Sequence, residues 1–182
     1  MLVGSLVTGI IPQFTNLLFW IPPQMFIDKF TLRCLPRNDP ALSEVLDLIR
    51  HCFAFMDGRI DPPSSIYRLQ LTDLNEKSHE GWILVAGYPV QACVVATALP
   101  HALYLGKMAV HPDLRGAGLA REMVQACEEL ALQNGLDRLE LQVRIELVEN
   151  RQTFEKLGFH QTEFNNHPGY DRITEITMQK KC

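Results

Sequence analysis

A short glycine-containing run holds the residues of this sequence most able to do chemistry. It follows an apolar stretch at residues 102–110 and a His111-Pro112 turn, and its members are Arg115, Gly116, Ala117, Gly118, Leu119 and Ala120. Glycines at such a place open a helix, and the first backbone N–H groups of a helix have no partner within it. These N–H groups and the helix dipole favour a bound anion. The run therefore predicts a ligand that bears phosphate.

Other phosphate-binding and catalytic motifs do not fit. A dinucleotide-binding fingerprint needs a third glycine where Arg121 stands, and a Walker loop needs Gly-Lys-Ser or Gly-Lys-Thr, which the sequence lacks. The sequence also has no Cys-x-x-Cys or His-x-x-x-His pair and no Gly-x-Ser-x-Gly elbow. We therefore expect neither a metal site nor a serine nucleophile.

The elements that must position this run alternate between strands and helices, which predicts a mixed α/β domain. Period-two alternation over residues 139–147 predicts a strand whose polar face carries Glu140, Gln142, Arg144 and Glu146. Further strands are predicted at residues 31–35, 82–86, 90–98, 102–110, 159–164 and 173–178.

Helix signals lie between these strands. Asp39-Pro40 predicts the start of a first helix, and an apolar stripe predicts another from Gly116 to Gln133. A serine at 64 or 65 predicts a cap for a short helix through Leu71, and Asn150 is expected to cap the last helix.

Composition limits the function classes. The chain of 182 residues is 47% hydrophobic and 21% charged, which is typical of a globular protein, and its net charge is -4. That charge gives no reason to expect nucleic acid or an anionic membrane as partner, and it slightly favours a cationic substrate. The five scattered cysteines indicate reduced thiols in a cytoplasmic protein.

The first 27 residues carry no charge. Prolines at 12, 22 and 23 interrupt their apolar runs well short of the ~20 residues that a membrane span needs, and no basic start typical of a secretory signal is present. We expect residues 1–29 to be an apolar extension or an arm for homodimer contact, and the catalytic domain to occupy residues 30–182.

Two motifs resemble the GNAT superfamily of acetyl-CoA-dependent N-acetyltransferases. Arg115, Gly118 and Ala120 match that family's [Q/R]-x-x-G-x-[G/A] motif, and residues 154–159, Phe-Glu-Lys-Leu-Gly-Phe, are similar to its Tyr-Glu-Lys-Leu-Gly-Phe segment. The resemblance implies a mixed, mostly antiparallel sheet of six to seven strands with four flanking helices. It also implies that the fourth and fifth strands splay apart.

The resemblance implies acetyl-CoA as cofactor. The pyrophosphate of coenzyme A would lie on backbone N–H groups of residues 115–121, and the pantetheine arm on unpaired groups of Met108, Ala109 and Val110. The N–H of Met108 or its neighbour would polarise the thioester carbonyl. Asn150 and Phe154 are the remaining candidate cofactor contacts.

A base is expected near the splay, because an amine with a lysine-like pKa is only about 1 part in 2,500 neutral at pH 7. The candidates are Glu146 and Glu140 on the polar strand, Asp57 and Asp61 in the loop after the first helix, and His167. Of these, Glu146 is the preferred catalytic residue. The acceptor is expected to contact Asp57, Asp61, His167 and Tyr170.

The sequence departs from the family at Phe154, which stands where many members have a tyrosine that protonates the departing thiolate. Tyr170 could substitute, and Asp171-Arg172 beside it reads as a surface ion pair. We expect an N-acetyltransferase acting on a small-molecule primary amine. A non-catalytic acyl-CoA-binding module and a protein N-terminal or lysine acetyltransferase remain the alternatives.

Overall fold

The computed structural model describes residues 25–27 and 30–182. The expectations for residues 1–24 and 28–29 lie outside the described residues. Eight strands form one sheet: β1 (Met25–Ile27), β2 (Phe30–Cys34), β3 (Trp82–Ala86), β4 (Ala92–Ala98), β5 (Leu103–Val110), β6 (Arg138–Arg144), β7 (His160–Asn165) and β8 (Glu175–Lys181). Four α-helices accompany it: α1 (Leu42–Phe53), α2 (Leu71–Glu80), α3 (Leu119–Gln133) and α4 (Val148–Lys156).

The sheet confirms the predicted architecture and its splay. The strand order is β1-β2-β3-β4-β5-β6-β8-β7, and every neighbouring pair is antiparallel except β5 and β6. These two parallel strands pair only at Leu103–Leu139 and Tyr104–Glu140, near their starts. Beyond those pairs the two strands part, and β5 loses its partner on that side. The short β1 is one strand more than expected.

Apolar residues cover both faces of the sheet. One buried cluster joins the sheet to α3, and Phe154 of α4 and Leu157 just beyond its end pack against it. A second buried cluster joins the opposite face to α1 and to Leu74 of α2. This division places α3 and α4 on one face and α1 and α2 on the other.

A bulge interrupts β5 at the place where the sheet opens. Two residues of β5, Lys107 and Met108, lie between the paired positions Gly106 and Ala109, whereas β4 has one residue in the corresponding interval. Lys107 takes up the extra length with a left-handed φ of 52°, a conformation that L-residues adopt at a cost.

Two helix predictions need correction. The short helix predicted to begin at a serine cap is only a 3-10 turn at Ser65–Arg68, capped by Ser64. The second α-helix of the chain is α2, which follows this turn. The polar sequence of α2 hid its periodicity. Asn150 is not the cap of α4 but lies in its first turn, because the helix begins two residues earlier behind Leu147. Among the described residues, no helix has the length and apolar character to cross a membrane.

Candidate active site

The start of α3 presents backbone N–H groups that donate to no other described residue. Gly118 is the N-cap residue and has a φ of 93°. Among the described residues, no hydrogen bond is donated by the backbone N–H groups of Gly116, Gly118, Leu119 and Ala120. A Cβ built on either glycine would meet no atom within 4 Å. The loop therefore combines free donors with open space, as an anion site requires.

Not every N–H group of the predicted run is free. The N–H of Arg115 donates to Pro112 O at 3.2 Å, that of Ala117 to Leu114 O at 3.3 Å, and that of Arg121 to Gly118 O at 2.9 Å. These bonds shape the turn that leads into the helix. Within residues 115–121, four backbone N–H groups are thus left to donate to a ligand.

The free edge of β5 faces the gap between the strands. Met108 and Val110 are half-buried there and pack against the cluster on the α3 face, while Ala109 packs against the cluster on the α1 face. The half-buried Lys107 was missed by the sequence analysis. Burial lowers the pKa of its amine. The glycine before it, in mid-strand, was the available signal for a bulge.

Three predicted residues from distant parts of the chain meet in one cluster. Asp61 accepts hydrogen bonds from the Tyr170 hydroxyl at 3.1 Å and from Arg172 Nη2 at 2.7 Å. Its backbone N–H donates to Glu146 Oε1 at 3.1 Å. Arg172 Nη1 lies 3.6 Å from the same carboxylate oxygen. With Arg144, these residues form what we call the Asp61 cluster. The predicted ion pair of Arg172 with Asp171 is wrong, because the guanidinium reaches across to another loop.

Arg144 completes the cluster from the end of β6. Its Nε donates to Thr174 O at 3.2 Å and lies 3.8 Å from Glu146 Oε2. The side chain of Arg144 is only 13% exposed and that of Glu146 24%. Arg144 Nη2 and Glu146 Oε2 are buried, and the part of the chain that the structure describes gives neither atom a hydrogen-bond partner. The period-two pattern had placed both side chains on one face without indicating this role.

The charges of the cluster keep both carboxylates ionised. Burial raises the pKa of Glu146, but backbone N–H donors of Glu146 and Asp61 and the charges of Arg144 and Arg172 lower it below its usual value. Hydrogen bonds from Arg172 and Tyr170 lower the pKa of Asp61. Burial and the bond to Asp61 raise the pKa of Tyr170, which therefore keeps its proton at neutral pH.

Other predicted residues have partners outside the Asp61 cluster. Asp57 accepts a hydrogen bond from the Tyr67 hydroxyl. His167 Nδ1 lies 2.7 Å from Thr174 Oγ1, and its Nε2 lies 3.7 Å from Glu175 Oε2. Glu140 binds Gln179 and His101 beside the last β5–β6 pair. Glu140 thus lies at the closed end of the splay, where an amine has no free strand edge beside it.

The aromatic and amide candidates of α4 are also placed. Phe154 is half-buried and meets Phe159 edge to face, with ring centroids 5.7 Å apart. Asn150 is half-buried in the first turn of the helix. His111 accepts a hydrogen bond from the Asp113 backbone N–H and so caps the 3-10 turn Pro112–Leu114.

Comparisons with known proteins agree with this geometry. A sequence model described as the acetyltransferase (GNAT) family matches residues 42–159. A comparison with curated proteins found no match.

Solved structures share the fold at low sequence identity. An acetyltransferase from Streptococcus agalactiae 2603 is 17% identical with a TM-score of 0.67, over 86% of this chain and 100% of that one. A GNAT family acetyltransferase from Elizabethkingia anophelis, with acetyl-CoA bound, is 14% identical with a TM-score of 0.60, over 86% and 100%. The ribosomal-protein-S18-alanine N-acetyltransferase from Escherichia coli is 20% identical with a TM-score of 0.57, over 84% and 93%.

The family uses acetyl-CoA as its cofactor. The free N–H groups at the start of α3 and the open edge of β5 are donor sets that fit this molecule. Because the family's sequence model covers more than half of the chain, and the sheet parts between β5 and β6, the chain belongs to the GNAT family of acetyltransferases.

Proposed function

We propose that this chain is an N-acetyltransferase that moves the acetyl group of acetyl-CoA to the primary amine of a small molecule. The observation that carries the proposal is the free edge of β5 beside four unpaired N–H groups at the start of α3. An extended, amide-rich molecule with a diphosphate at one end matches both features.

The cofactor would be held by backbone groups. Gly116, Gly118, Leu119 and Ala120 would donate to the diphosphate, and Met108–Val110 would bond the arm as a further strand. Acetyl-CoA supplies the acetyl group as a thioester. The N–H of Met108 would donate to the thioester oxygen and stabilise the charge that develops there.

Glu146 would receive the acceptor amine. Its carboxylate is ionised throughout the neutral range, since its pKa lies below the usual value. Such a carboxylate binds and orients an ammonium group well but keeps a proton poorly, so it would pass the proton to water. The neutral amine then forms the bond to the acetyl carbon as the carbon–sulfur bond breaks, and the second proton that the nitrogen loses goes to water or to the departing thiolate.

The leaving thiolate has two sources of a proton. Tyr170 stays protonated because its pKa is raised, and water is the other source. A thiol pKa of ~8.5 makes departure as the anion tolerable at neutral pH. Phe154 carries no proton to give.

A small acceptor is favoured over a protein by the loop contacts. Asp61 joins the loop after α1 to Tyr170 and Arg172 in the loop between β7 and β8. The joined loops leave less room for a polypeptide. The Escherichia coli neighbour is named as a ribosomal-protein-S18-alanine N-acetyltransferase. A protein N-terminus is therefore the alternative acceptor. Five unpaired cysteines support a reducing, cytoplasmic location.

The test is release of free thiol from acetyl-CoA on addition of a panel of primary amines. We expect amine-dependent release that Glu146→Gln reduces strongly. A protein that binds coenzyme A tightly but releases no thiol would instead be the non-catalytic module that Phe154 leaves as the second candidate. Absence of any heat of binding with coenzyme A would overturn both.

A further inference from the structure

Two buried polar atoms of the Asp61 cluster have no hydrogen-bond partner among the described residues. Arg144 Nη2 is a hydrogen-bond donor and Glu146 Oε2 an acceptor, and both are buried without a hydrogen-bond partner. Among the described residues, the only other buried side-chain atoms in this condition are Arg33 Nε and Glu122 Oε2. A buried charged group without its hydrogen bonds is unfavourable, and binding sites are a common place to find one.

Another polar atom of each of the two side chains is already hydrogen-bonded. Arg144 Nε donates to Thr174 O, and Glu146 Oε1 accepts from the Asp61 backbone N–H. The contact between the two residues is an ion pair at 3.8 Å, longer than a hydrogen bond. Each side chain is therefore held in place by one hydrogen-bonded atom and has a second polar atom that can bind a ligand.

We propose that the acceptor is an α-amino acid, whose carboxylate binds Arg144 and whose amino group binds Glu146. This inference rests on the proposed function, because it names the class of amine that the site takes. A guanidinium N–H suits a carboxylate, and a carboxylate oxygen suits an ammonium group. In an α-amino acid the two groups are attached to one carbon, which suits two side chains whose charged ends lie 3.8 Å apart.

The charges around the site favour both groups together. Asp61, Glu146 and the nearby Glu175 are acidic, whereas Arg144 and Arg172 are basic. An amine without a carboxylate would leave the Arg144 N–H unpaired. An anion without an amino group would add to the surplus of negative charge. A zwitterion satisfies both atoms and leaves the net charge unchanged.

Both unpaired atoms are out of contact with solvent in this structure. Asp61, Tyr170 and Arg172 join two loops beside them. The side chains of Asp61 and Arg172 are 62% and 48% exposed. Exposed ion pairs of this kind are weak. The loops can therefore part to admit an acceptor of amino-acid size.

The test compares each amino acid with the amine left when its carboxylate is removed. Suitable pairs are glycine with methylamine, alanine with ethylamine, phenylalanine with 2-phenylethylamine, and tryptophan with tryptamine. Thiol release from acetyl-CoA gives kcat/KM for each. The wild-type protein is compared with Arg144→Gln, and with Arg138→Gln as the control, since Arg138 lies at the other end of β6 and pairs with Asp137.

We expect at least one amino acid to be preferred over its partner, and Arg144→Gln to reduce that preference roughly 100-fold while Arg138→Gln retains it. Comparing the same amines in both proteins cancels their difference in basicity. An unchanged rise in melting temperature with coenzyme A shows that the variant is folded. Arg144→Lys, which keeps the charge but loses the planar fork, should restore only part of the preference.

No preference in any pair, or a preference that survives Arg144→Gln, would overturn the inference, while thiol release with the simple amines would leave the proposed function intact. If no amine causes release, the proposed function fails for this panel. Binding then decides the inference. Amino acids that raise the melting temperature of the coenzyme A-bound protein only when Arg144 is present support it, and no such rise refutes it.

Discussion

The two halves of the candidate active site are built in different ways. The start of α3 uses backbone N–H groups from residues that are consecutive in the chain. The Asp61 cluster uses side chains from three segments, and its hydrogen bond between Arg172 and Asp61 spans 111 positions. The first half depends on a local turn, whereas the second exists only once the sheet has assembled.

The contrast also separates two kinds of recognition. Backbone donors at a helix start suit one diphosphate and tolerate changes of side chain, except at the glycines. Side chains held by loops set the identity of the acceptor and can change without altering the fold. Substitutions in the two halves should therefore affect different measurements.

The largest effect is expected from Glu146→Gln. Loss of the carboxylate should lower the rate of thiol release roughly 100-fold or more, because the amide can neither hold the ammonium nor pass on its proton. Binding of coenzyme A, measured by calorimetry, should stay the same. A parallel loss of cofactor binding would contradict the division of the site into two halves.

The pH dependence of kcat/KM should follow the acceptor amine. The value should rise about tenfold per pH unit from pH 6 to 8, since the neutral fraction of an amine rises by that factor. The pKa of Glu146 is lowered, so its carboxylate is already ionised across this range and adds no inflection. An inflection between pH 6 and 7 would indicate an imidazole as the base.

A matched pair of glycine substitutions tests the other half. Gly118 at the start of α3 and Gly135 just beyond its end have φ of 93° and 73°, and both have open space around the Cβ position. Alanine should cost about 1–2 kcal/mol of stability at either position. Only Gly118→Ala should also weaken coenzyme A binding, by about tenfold, because its methyl group enters the space beside the free N–H groups. Equal affinities for both variants would refute the predicted diphosphate site.

The smallest effect is expected from Asp61→Asn. The change weakens the link from Asp61 to Arg172 and Tyr170, so the KM for the acceptor should rise a few-fold, with coenzyme A binding unchanged. Limited proteolysis should become faster in the loops that hold Asp61 and Tyr170. An acceptor KM and a cleavage pattern both equal to those of the wild type would show that the link does not order the loops.

The sequence was sufficient to predict the features that depend on residues close together in the chain. The glycine run, the strands and the splay implied by the family resemblance are all present. It also selected Asp61, Glu146 and Tyr170 as separate candidates, and the structure places them in contact. It could not foresee that contact, because register and loop packing decide which distant side chains meet.

The misses have the same physical origin. Arg172 was assigned to its sequence neighbour Asp171, although its partners Asp61 and Glu146 come from other loops. Lys107 was read as an ordinary strand residue, because a bulge is defined by the pairing with β4. The polar helix α2 shows little periodicity, because only two of its residues, Leu74 and Ser78, are buried.

The limited pairing between β5 and β6 has a mechanical consequence. The five strands β1–β5 and the three strands β6–β8 share backbone pairs only at Leu103–Leu139 and Tyr104–Glu140 among the described residues, although α3 packs against strands of both groups. A cofactor lying across the gap would link the two free strand edges. Loading should therefore slow amide hydrogen exchange in the outer part of β5, and each release of product would restore the faster exchange.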